Sequence, residues 1–454
     1  MNGMCYQDFR AFLAVLRDQG ELVDIDRPIA LKYDVAKALA KSSSVDGPAL
    51  MFRNNGTAFP LVAGLFGTRR RALIAFGADD LTIHDRVRKG IEQPIGPVDF
   101  EGIPPCQDVV LTGEQIDLAR LPVPIYSPKD GGPYITAGIV ISENPETGIP
   151  DIGNYRFQIH GRDRMGVFSA PNHRFGKNMA KATQMGVPLH GALVVGLDPM
   201  TALSCQVQSS DKTNDWFVAG GLRGAPVALA NAVTSSLKVP AYSEFVLEFT
   251  VDTVDQQMEG PLGEYTGYYT PATLKPTAKV TAITHRKDAI FQGLLTGKPV
   301  TENHVLKQIP FEASILRQLQ TQFPTIRDVA ITSSGGVQVY VVIAISPRYA
   351  GEARQAILAA MASNLHPKWI VAVDPDIDIR KSAEVEWAMS FRVKPRQDVF
   401  IVDGTAAAPL DPYTDGGYSS AVGIDATRPF GVEFPEVSEV PGWRDFDLPE
   451  IGRR

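Results

Sequence analysis

Residues 134–142 read Tyr-Ile-Thr-Ala-Gly-Ile-Val-Ile-Ser. Ile135, Ala137, Ile139 and Ile141 fall on alternate positions, the period of a strand with one face in a core. Further segments with strand character follow. Residues 158–161, a turn and residues 165–168 predict a hairpin, closed by Ala170-Pro171-Asn172-His173-Arg174. Residues 187–196 predict a strand ending near the Asp198-Pro199 turn. Val239-Pro240-Ala241-Tyr242-Ser243-Glu244 opens another, running through Val246, Glu248 and Thr250. Residues 278–284 and 289–295 add two more. Residues 216–219 lead into the glycine-rich Gly220-Gly221-Leu222-Arg223-Gly224, and residues 228–237 are expected to be a helix or a mixed segment. Residues 134–296 are therefore mainly β, with short strands and glycine turns, which predicts a barrel or sandwich.

The flanks read differently. Phe9, Phe12, Leu13 and Leu16 recur at helical spacing and Gly20 ends the run, so residues 6–20 predict an amphipathic helix. A short strand at 21–25, a helix at 34–43 and buried strands at 48–52 and 61–64 make an α/β start. The basic run Arg69-Arg70-Arg71 is expected to be a solvated face. Residues 90–133 carry eight prolines and little periodicity, and predict an extended path along the surface of the fold. Ile315, Leu316, Leu319 and Phe323 share one face of a helix expected over 309–323, which links to a last domain. There, strands at 329–331 and 337–345, a helix at 352–362 and a strand at 369–373 give a β-β-α-β pattern. Asp374-Pro375-Asp376-Ile377-Asp378 lacks the glycine and closing glutamate of a calcium loop and reads as a turn. The chain after Gly404 is expected to be loop-rich, covering a neighbouring subunit.

Composition narrows the function. The 454 residues are 44% apolar and 21% charged, enough for two or three domains with ample core. A net charge of −7 argues against nucleic-acid or membrane-surface binding. Cys5, Cys106 and Cys205 have no metal-like spacing and fit a reducing cytoplasm. No signal-peptide pattern or apolar run of roughly 20 residues points to export or membrane insertion.

Three constellations carry possible chemistry. Glu259-Gly260-Pro261-Leu262-Gly263-Glu264 holds two carboxylates around a Gly-Pro turn, which forbids a helix and can bring both acids to one side of a cleft. Paired carboxylates in a dry pocket raise each other's cost of ionising, so one can hold a proton as a general acid. Arg156 suits the bidentate capture of a carboxylate. Asp151, His173 and Glu244 are two hard oxygen donors and an imidazole, a set suited to magnesium or manganese. Arg392 and Lys394 can meet a phosphate. The plain alternatives are a surface turn, a structural histidine and a solvated strand end.

Asp151-Ile152-Gly153-Asn154-Tyr155-Arg156, the 239–244 and 259–264 segments and Tyr265-Thr266-Gly267-Tyr268-Tyr269 together resemble the UbiD family of decarboxylases. Trp387-Ala388-Met389-Ser390-Phe391-Arg392 and Gly423-Ile424-Asp425-Ala426-Thr427 extend the resemblance over nearly the whole chain. It implies an α+β chain: an N-terminal α/β region with a proline-rich connection (1–120), a split β-barrel flavin-binding domain (121–305), a linking helix (306–325) and a C-terminal α/β oligomerisation domain (326–454). It implies prenylated FMN with manganese or magnesium, often potassium, and a flavin prenyltransferase as supplier. The implied reaction is reversible loss of CO2 from an unsaturated or aromatic acid through a covalent adduct with the flavin.

By the same resemblance Arg156, Glu259 and Glu264 are the catalytic trio, with Glu264 the proton donor. Asp151, His173 and Glu244 match the metal ligands; the family often has Asn where Asp151 stands. Ile152, Gly153, Asn154, Tyr155, Asn172 and His173 fall at the cofactor, and Arg392 at its phosphate. A small aromatic or heteroaromatic acid is the expected substrate, lined by Tyr155, Tyr265, Thr301, Asn303, His304 and residues 413–418. A polyprenyl hydroxybenzoate is the alternative. Two readings from other classes remain: a flavin-independent metal hydrolase and a non-catalytic flavin-binding protein. Homodimers or larger assemblies are implied as well.

Overall fold

The computed structural model describes residues 6–207, 212–408, 410–438 and 440–442. The fold is mixed α+β, arranged around the strands that the alternating pattern predicted. Phe245–Glu259 and Thr273–His285 form its long antiparallel spine, with bulges between Glu248 and Phe249 and between Asp252 and Gln256. Bulges bend and twist a ladder, and this spine lies within a nine-stranded, all-antiparallel sheet. Leu189–Val195, Ile139–Glu143 and Pro150–Asn154 continue it on one side; Arg164–Val167, Phe157–Ile159 and Tyr134–Ile135 do so on the other. Pro150–Asn154 ends one side of the sheet. One core cluster lines the sheet with Phe157, Phe175, Phe245, Phe249 and Phe291.

The proline-rich segment follows the predicted extended path. Val109–Thr112 pairs along the Thr273–His285 strand, and Ile125 bridges Lys32 in the N-terminal region. That region has its own four-stranded sheet, and Phe291–Gln292 supplies one of its strands, so the two units are stitched together. The C-terminal sheet runs in the order Ile326–Ile331, Tyr340–Ile345, Trp369–Val373, Tyr418–Ala426, Val399–Ala406. The expected loop-rich stretch after Gly404 thus contains a central strand, Tyr418–Ala426, parallel to Trp369–Val373.

Four other expectations need correction. The linking helix is Glu302–Gln320, beginning a full two turns before residue 309. Pro310 misleads because proline favours a helix's first position; here it lies inside, and Thr301 with His304 forms the capping box. Residues 174–185 and 215–223 are helices, Arg174–Met185 and Asp215–Arg223. Gly220 and Gly221 do not make a turn there: a Cβ on either would run into the backbone carbonyls of Ile95 or Gly90, so close helix packing requires glycine. Residues 228–231 form a strand, Ala228–Asn231, instead of a helix. Arg71 is not solvated but 1% exposed. It donates to Gly64 O (3.0 Å), Gly47 O (2.8 Å) and Glu21 (3.0 Å), because a buried guanidinium must have partners. Cys106 and Cys205 form no disulfide; Cys5 lies outside the described residues.

Candidate active site

The two acids of the 259–264 stretch do meet. Glu259 ends the Phe245–Glu259 strand and is fully buried. Leu262–Gly263 pairs with Tyr269–Thr270, closing a hairpin that carries Glu264. Gly131 packs against the Gly260 carbonyl so closely that no side chain fits. Asp130 accepts from Gly263 N (3.0 Å) and Ser127 N (2.7 Å), which binds the proline-rich segment to the same turn.

Arg156 lies between the strands Pro150–Asn154 and Phe157–Ile159 and faces this turn. Its Nε and Nη2 donate to the two oxygens of Glu259, both at 3.0 Å. Its Nη1 donates to Glu264 and its Nη2 also reaches Thr270 Oγ1 (3.3 Å). The guanidinium lies 4.4 Å from the Phe168 ring centre. Burial works against the Arg156 charge, but hydrogen bonding to Glu259 and the charge of Glu264 outweigh it and raise its pKa. The Tyr134 hydroxyl, 3.1 Å from Glu259 Oε1, completes the fixed side of the cluster. Glu259 is thus clamped, whereas Glu264 is held through one guanidinium nitrogen and is the more replaceable partner.

The His173 ring lies 6.2 Å from the ring of Tyr155, the residue before Arg156. Asp151 is buried on the Pro150–Asn154 strand, and the exposed His173 caps the Arg174–Met185 helix. Partial desolvation, and then the charge of Lys307, hold the His173 imidazole below its ordinary pKa. Asn154 Nδ2 donates to Gly138 O at 2.8 Å and fixes the strand, and the Tyr155 ring packs 5.1 Å from Phe175. Asn172 is exposed beside His173, and Ile152 and Gly153 are buried in the strand.

Glu244 and Arg392 stand elsewhere. Glu244 accepts from Arg10 Nε (2.7 Å) and Nη2 (2.9 Å), from Arg286 Nη1 (3.4 Å) and from Ile290 N (2.9 Å). Its carboxylate fastens the first helix to the central sheet. Among the described residues no three His, Cys, Asp or Glu groups form a metal-donor set, so the expected Asp151–His173–Glu244 set is not assembled. Arg392 is occupied by Asp374 (2.8 Å) and Asp376 (3.0 and 2.8 Å), a structural fork in the last domain rather than a free phosphate anchor.

The acid that does meet Asp151 is Asp215, absent from the sequence reading. Arg174 bridges the pair, with Nη1 2.7 Å from Asp215 and Nε 3.4 Å from Asp151; Ile152 N also donates to Asp215 (3.0 Å). The signal was present: Asn214-Asp215 before Trp216-Phe217-Val218 is a helix-start signature, and Asn214 caps that helix. Of the expected pocket polars, His304 is fully buried. Its Nδ1 accepts from Thr301 N (3.0 Å) and its Nε2 lies 2.6 Å from Tyr265 O; burial pushes it down to about 4. It therefore holds Tyr265 in place as a neutral imidazole.

Among the described residues, the three-donor cation site implied by the resemblance is not brought together. Among the described residues, the outer side of the terminal Pro150–Asn154 strand has no strand neighbour. Its Ile152 N donates to Asp215 (3.0 Å) and its Pro150 O accepts from Arg174 Nη2 (2.9 Å), so the Arg174–Asp215 pair covers this edge.

Comparison with known proteins agrees with this geometry. The 3-octaprenyl-4-hydroxybenzoate carboxy-lyase family matches in all three parts: its N-terminal domain at 13–91, its Rift-related domain at 100–299 and its C-terminal domain at 304–426. The UbiD-class enzyme HmfF from Pelotomaculum thermopropionicum, solved with FMN, is 31% identical over 97% of this chain and 99% of its own, with a TM-score of 0.92. An evolved dimeric form of HmfF was solved with prenylated FMN. Vanillic acid decarboxylase from Sedimentibacter hydroxybenzoicus is 27% identical (97% and 98% covered, TM-score 0.88). The 3,4-dihydroxybenzoic acid decarboxylase of Klebsiella pneumoniae is 26% identical (97% and 99% covered, TM-score 0.88). No helix among the described residues is long and apolar enough to cross a membrane. With all three family domains matched in order, the chain belongs to the UbiD family and is a carboxy-lyase.

Proposed function

We propose that this enzyme removes CO2 from a small aromatic or heteroaromatic acid, with prenylated FMN in the cleft beside Arg156 and Glu264 as the proton donor. The observation that carries this reading is one guanidinium held to two carboxylates of unequal security. An incoming substrate carboxylate competes for the Arg156 Nη1 that Glu264 occupies. Glu259 keeps Arg156 oriented throughout, because its two bonds are independent of that exchange. Displaced from Arg156, Glu264 loses the cation that stabilises its charge and takes up a proton more readily. It then stands beside the carbon from which CO2 departs and delivers that proton to it. The flavin, when bound, supplies the electron sink for breaking the C–CO2 bond. The burial of Glu259, Tyr134 and Tyr265 keeps bulk water from competing as acid.

Small acids are favoured over a polyprenyl substrate because two of the neighbours are named for vanillic and 3,4-dihydroxybenzoic acids. We further assign the central sheet as a split-barrel flavin domain and the C-terminal sheet as an oligomerisation domain. Exposed Trp387, Phe391, Ile401 and Tyr418 on the latter support that role. The test is co-expression with a flavin prenyltransferase and anaerobic purification, followed by cofactor mass and CO2 release from a panel of aromatic, heteroaromatic and acrylic acids. Prenylated flavin with turnover on one class is the expected result. Protein that takes up no flavin, under conditions that load a relative, overturns the reading.

A further inference from the structure

Gln158 stands two residues after Arg156 and directly opposite Tyr134, where Phe157–Ile159 pairs with Tyr134–Ile135. Its Oε1 accepts from Gly260 N (2.9 Å) and lies 3.0 Å from the Tyr134 hydroxyl. The same hydroxyl lies 3.1 Å from Glu259 Oε1. Tyr134 is fully buried and Gln158 nearly so. A buried hydroxyl needs one acceptor, and Gln158 alone would satisfy it. The approach to Glu259 is therefore more than packing requires. Tyr134 has one proton for two acceptors. Gln158 Oε1 is neutral and already takes the Gly260 N–H, whereas Glu259 is the counter-charge of Arg156, so the carboxylate is the stronger acceptor. Burial, and then the charge of Glu259, push the Tyr134 pKa above its ordinary value, so the hydroxyl keeps its proton and serves as a donor.

Two grips thus converge on one corner of the chain. Arg156 holds both oxygens of Glu259, and Tyr134 adds a third donor to one of them. Gln158 holds Tyr134 and also the peptide that follows Glu259. Gly131 packs against the outside of this corner, where a Cβ would meet the Gly260 carbonyl and lie 2.7 Å from the Gln158 amide nitrogen. Glu264, by contrast, has Arg156 Nη1 and a long bond from Tyr265 N (3.3 Å). We propose that Tyr134 and Gln158 are positioning residues of the reaction: together they lock Glu259 on Arg156, so that an arriving carboxylate exchanges with Glu264 alone. This rests on the decarboxylase reading, in which Arg156 captures the acid and Glu264 delivers the proton. Both residues act through Glu259, and neither is asked to meet the substrate. Without the Tyr134 hydroxyl, the Glu259 carboxylate is held only by the guanidinium for which the substrate competes. The substrate then displaces either acid, and only one of the two arrangements leaves Glu264 free beside the reacting carbon.

The experiment reads the two acids directly. Protein carrying 13C at the glutamate side-chain carboxyls is loaded with flavin, and benzoate is the probe carboxylate. Infrared difference spectra, benzoate-bound minus free, report which glutamates change partner. Wild type should show one shifted glutamate band, lost in Glu264→Gln, and Tyr134→Phe should show two. A single band in Tyr134→Phe overturns the proposal, as does a wild-type spectrum with two bands or none. Turnover gives a second readout, on the acid that the enzyme decarboxylates best. Tyr134→Phe should lower kcat per bound flavin by about tenfold to a hundredfold, the range of one hydrogen bond to a charged group, and leave KM within about twofold. Gln158→Met removes the acceptor at similar volume and should give the same split. The double variant should lose little more than the larger single loss, because the two residues act as one unit. A purely structural role would lower the unfolding midpoint and the flavin content while leaving kcat per bound flavin unchanged, and that result overturns the proposal. Turnover with two glutamate bands in wild type leaves the decarboxylase reading standing and removes this one. If no acid is turned over, the decarboxylase reading falls, and the infrared bands still decide whether Tyr134 confines the exchange to Glu264.

Discussion

Glu264→Gln separates the acid's chemistry from its shape. Glutamine keeps an oxygen where Arg156 Nη1 donates, so the guanidinium stays tied to position 264 and its two bonds to Glu259 are untouched. The change removes a charge and a transferable proton and little else. An ion-paired hydrogen bond becomes one from the charged guanidinium to a neutral amide oxygen, a loss of about 1 kcal/mol in folding stability. A general acid contributes about 10²- to 10⁴-fold, or about 2.7–5.4 kcal/mol of barrier. Flavin content and unfolding midpoint should therefore stay near wild type while turnover falls by two to four decades. Glu264→Asp draws the carboxyl back by one methylene and should fall between the two. The assay is single-turnover CO2 release in D2O, with deuterium in the product followed by mass. If Glu264→Gln released CO2 at the wild-type rate and its product carried deuterium, the proton would come from another donor and the role assigned to Glu264 would be wrong.

Two further outcomes test the frame around the site. His84 lies 3.4 Å from Glu312 on the linking helix and 3.3 Å from Asp328 in the last domain, with Arg69, Arg380 and Asp80 in the same network. Burial lowers its pKa, but hydrogen bonds to Asp328 and Glu312 outweigh this and raise it above 6.5. A raised folded-state pKa means the His84 contribution is complete below the unfolded value and is lost as pH climbs through the folded one. The unfolding midpoint should thus decline above about pH 6.5, and His84→Gln should flatten that decline; an unaltered pH profile in the variant would refute the assignment. Glu244→Gln should weaken the Arg10 and Arg286 contacts, by about 1–3 kcal/mol, and leave the metal content of the purified protein, whatever it is, unchanged by elemental analysis; a lower metal content with unchanged stability would restore Glu244 as a ligand.

The sequence revealed what depends on local pattern. Alternation from Ile135 to Ile141 pointed to the central sheet but merged two of its strands, Tyr134–Ile135 and Ile139–Glu143, which lie on opposite sides of it; the Gly260-Pro261 interruption located the turn that brings Glu259 and Glu264 to Arg156. What it hid depends on tertiary context. Arg71 reads as surface because three arginines in a row normally are; its burial requires Glu21 and two carbonyls from elsewhere in the fold. Gly220 and Gly221 read as a turn because the helix facing them is invisible in one dimension. Glu244 carries a family-like motif, but the partners that occupy it, Arg10 and Arg286, lie 234 and 42 residues away. Asp215 was passed over for the opposite reason: its role appears only when Arg174 brings it to Asp151.

The linking helix shows why the site cannot be separated from the fold. Its first half packs Val305, Leu306, Ile309 and Ala313 into the N-terminal core, and its second half packs Ile315, Leu316 and Leu319 into the C-terminal core. Between these it places Lys307 on Tyr265, His304 on the Tyr265 carbonyl and Glu312 among Arg69, His84 and Arg380. The hairpin carrying Glu264 is therefore fastened to an element that two cores hold in common. A shift between those cores must either bend the helix, which Pro310 makes easier by removing one backbone hydrogen bond, or carry Tyr265 and Lys307 with it. The first turns of this helix thus bear on Tyr265 beside Glu264, its middle on the pH-sensitive clamp and its end on the packing of the last domain. The same ordering explains why a helix whose outer half looks like a plain linker in sequence sets two polar side chains, His304 and Lys307, against Tyr265 in its inner half.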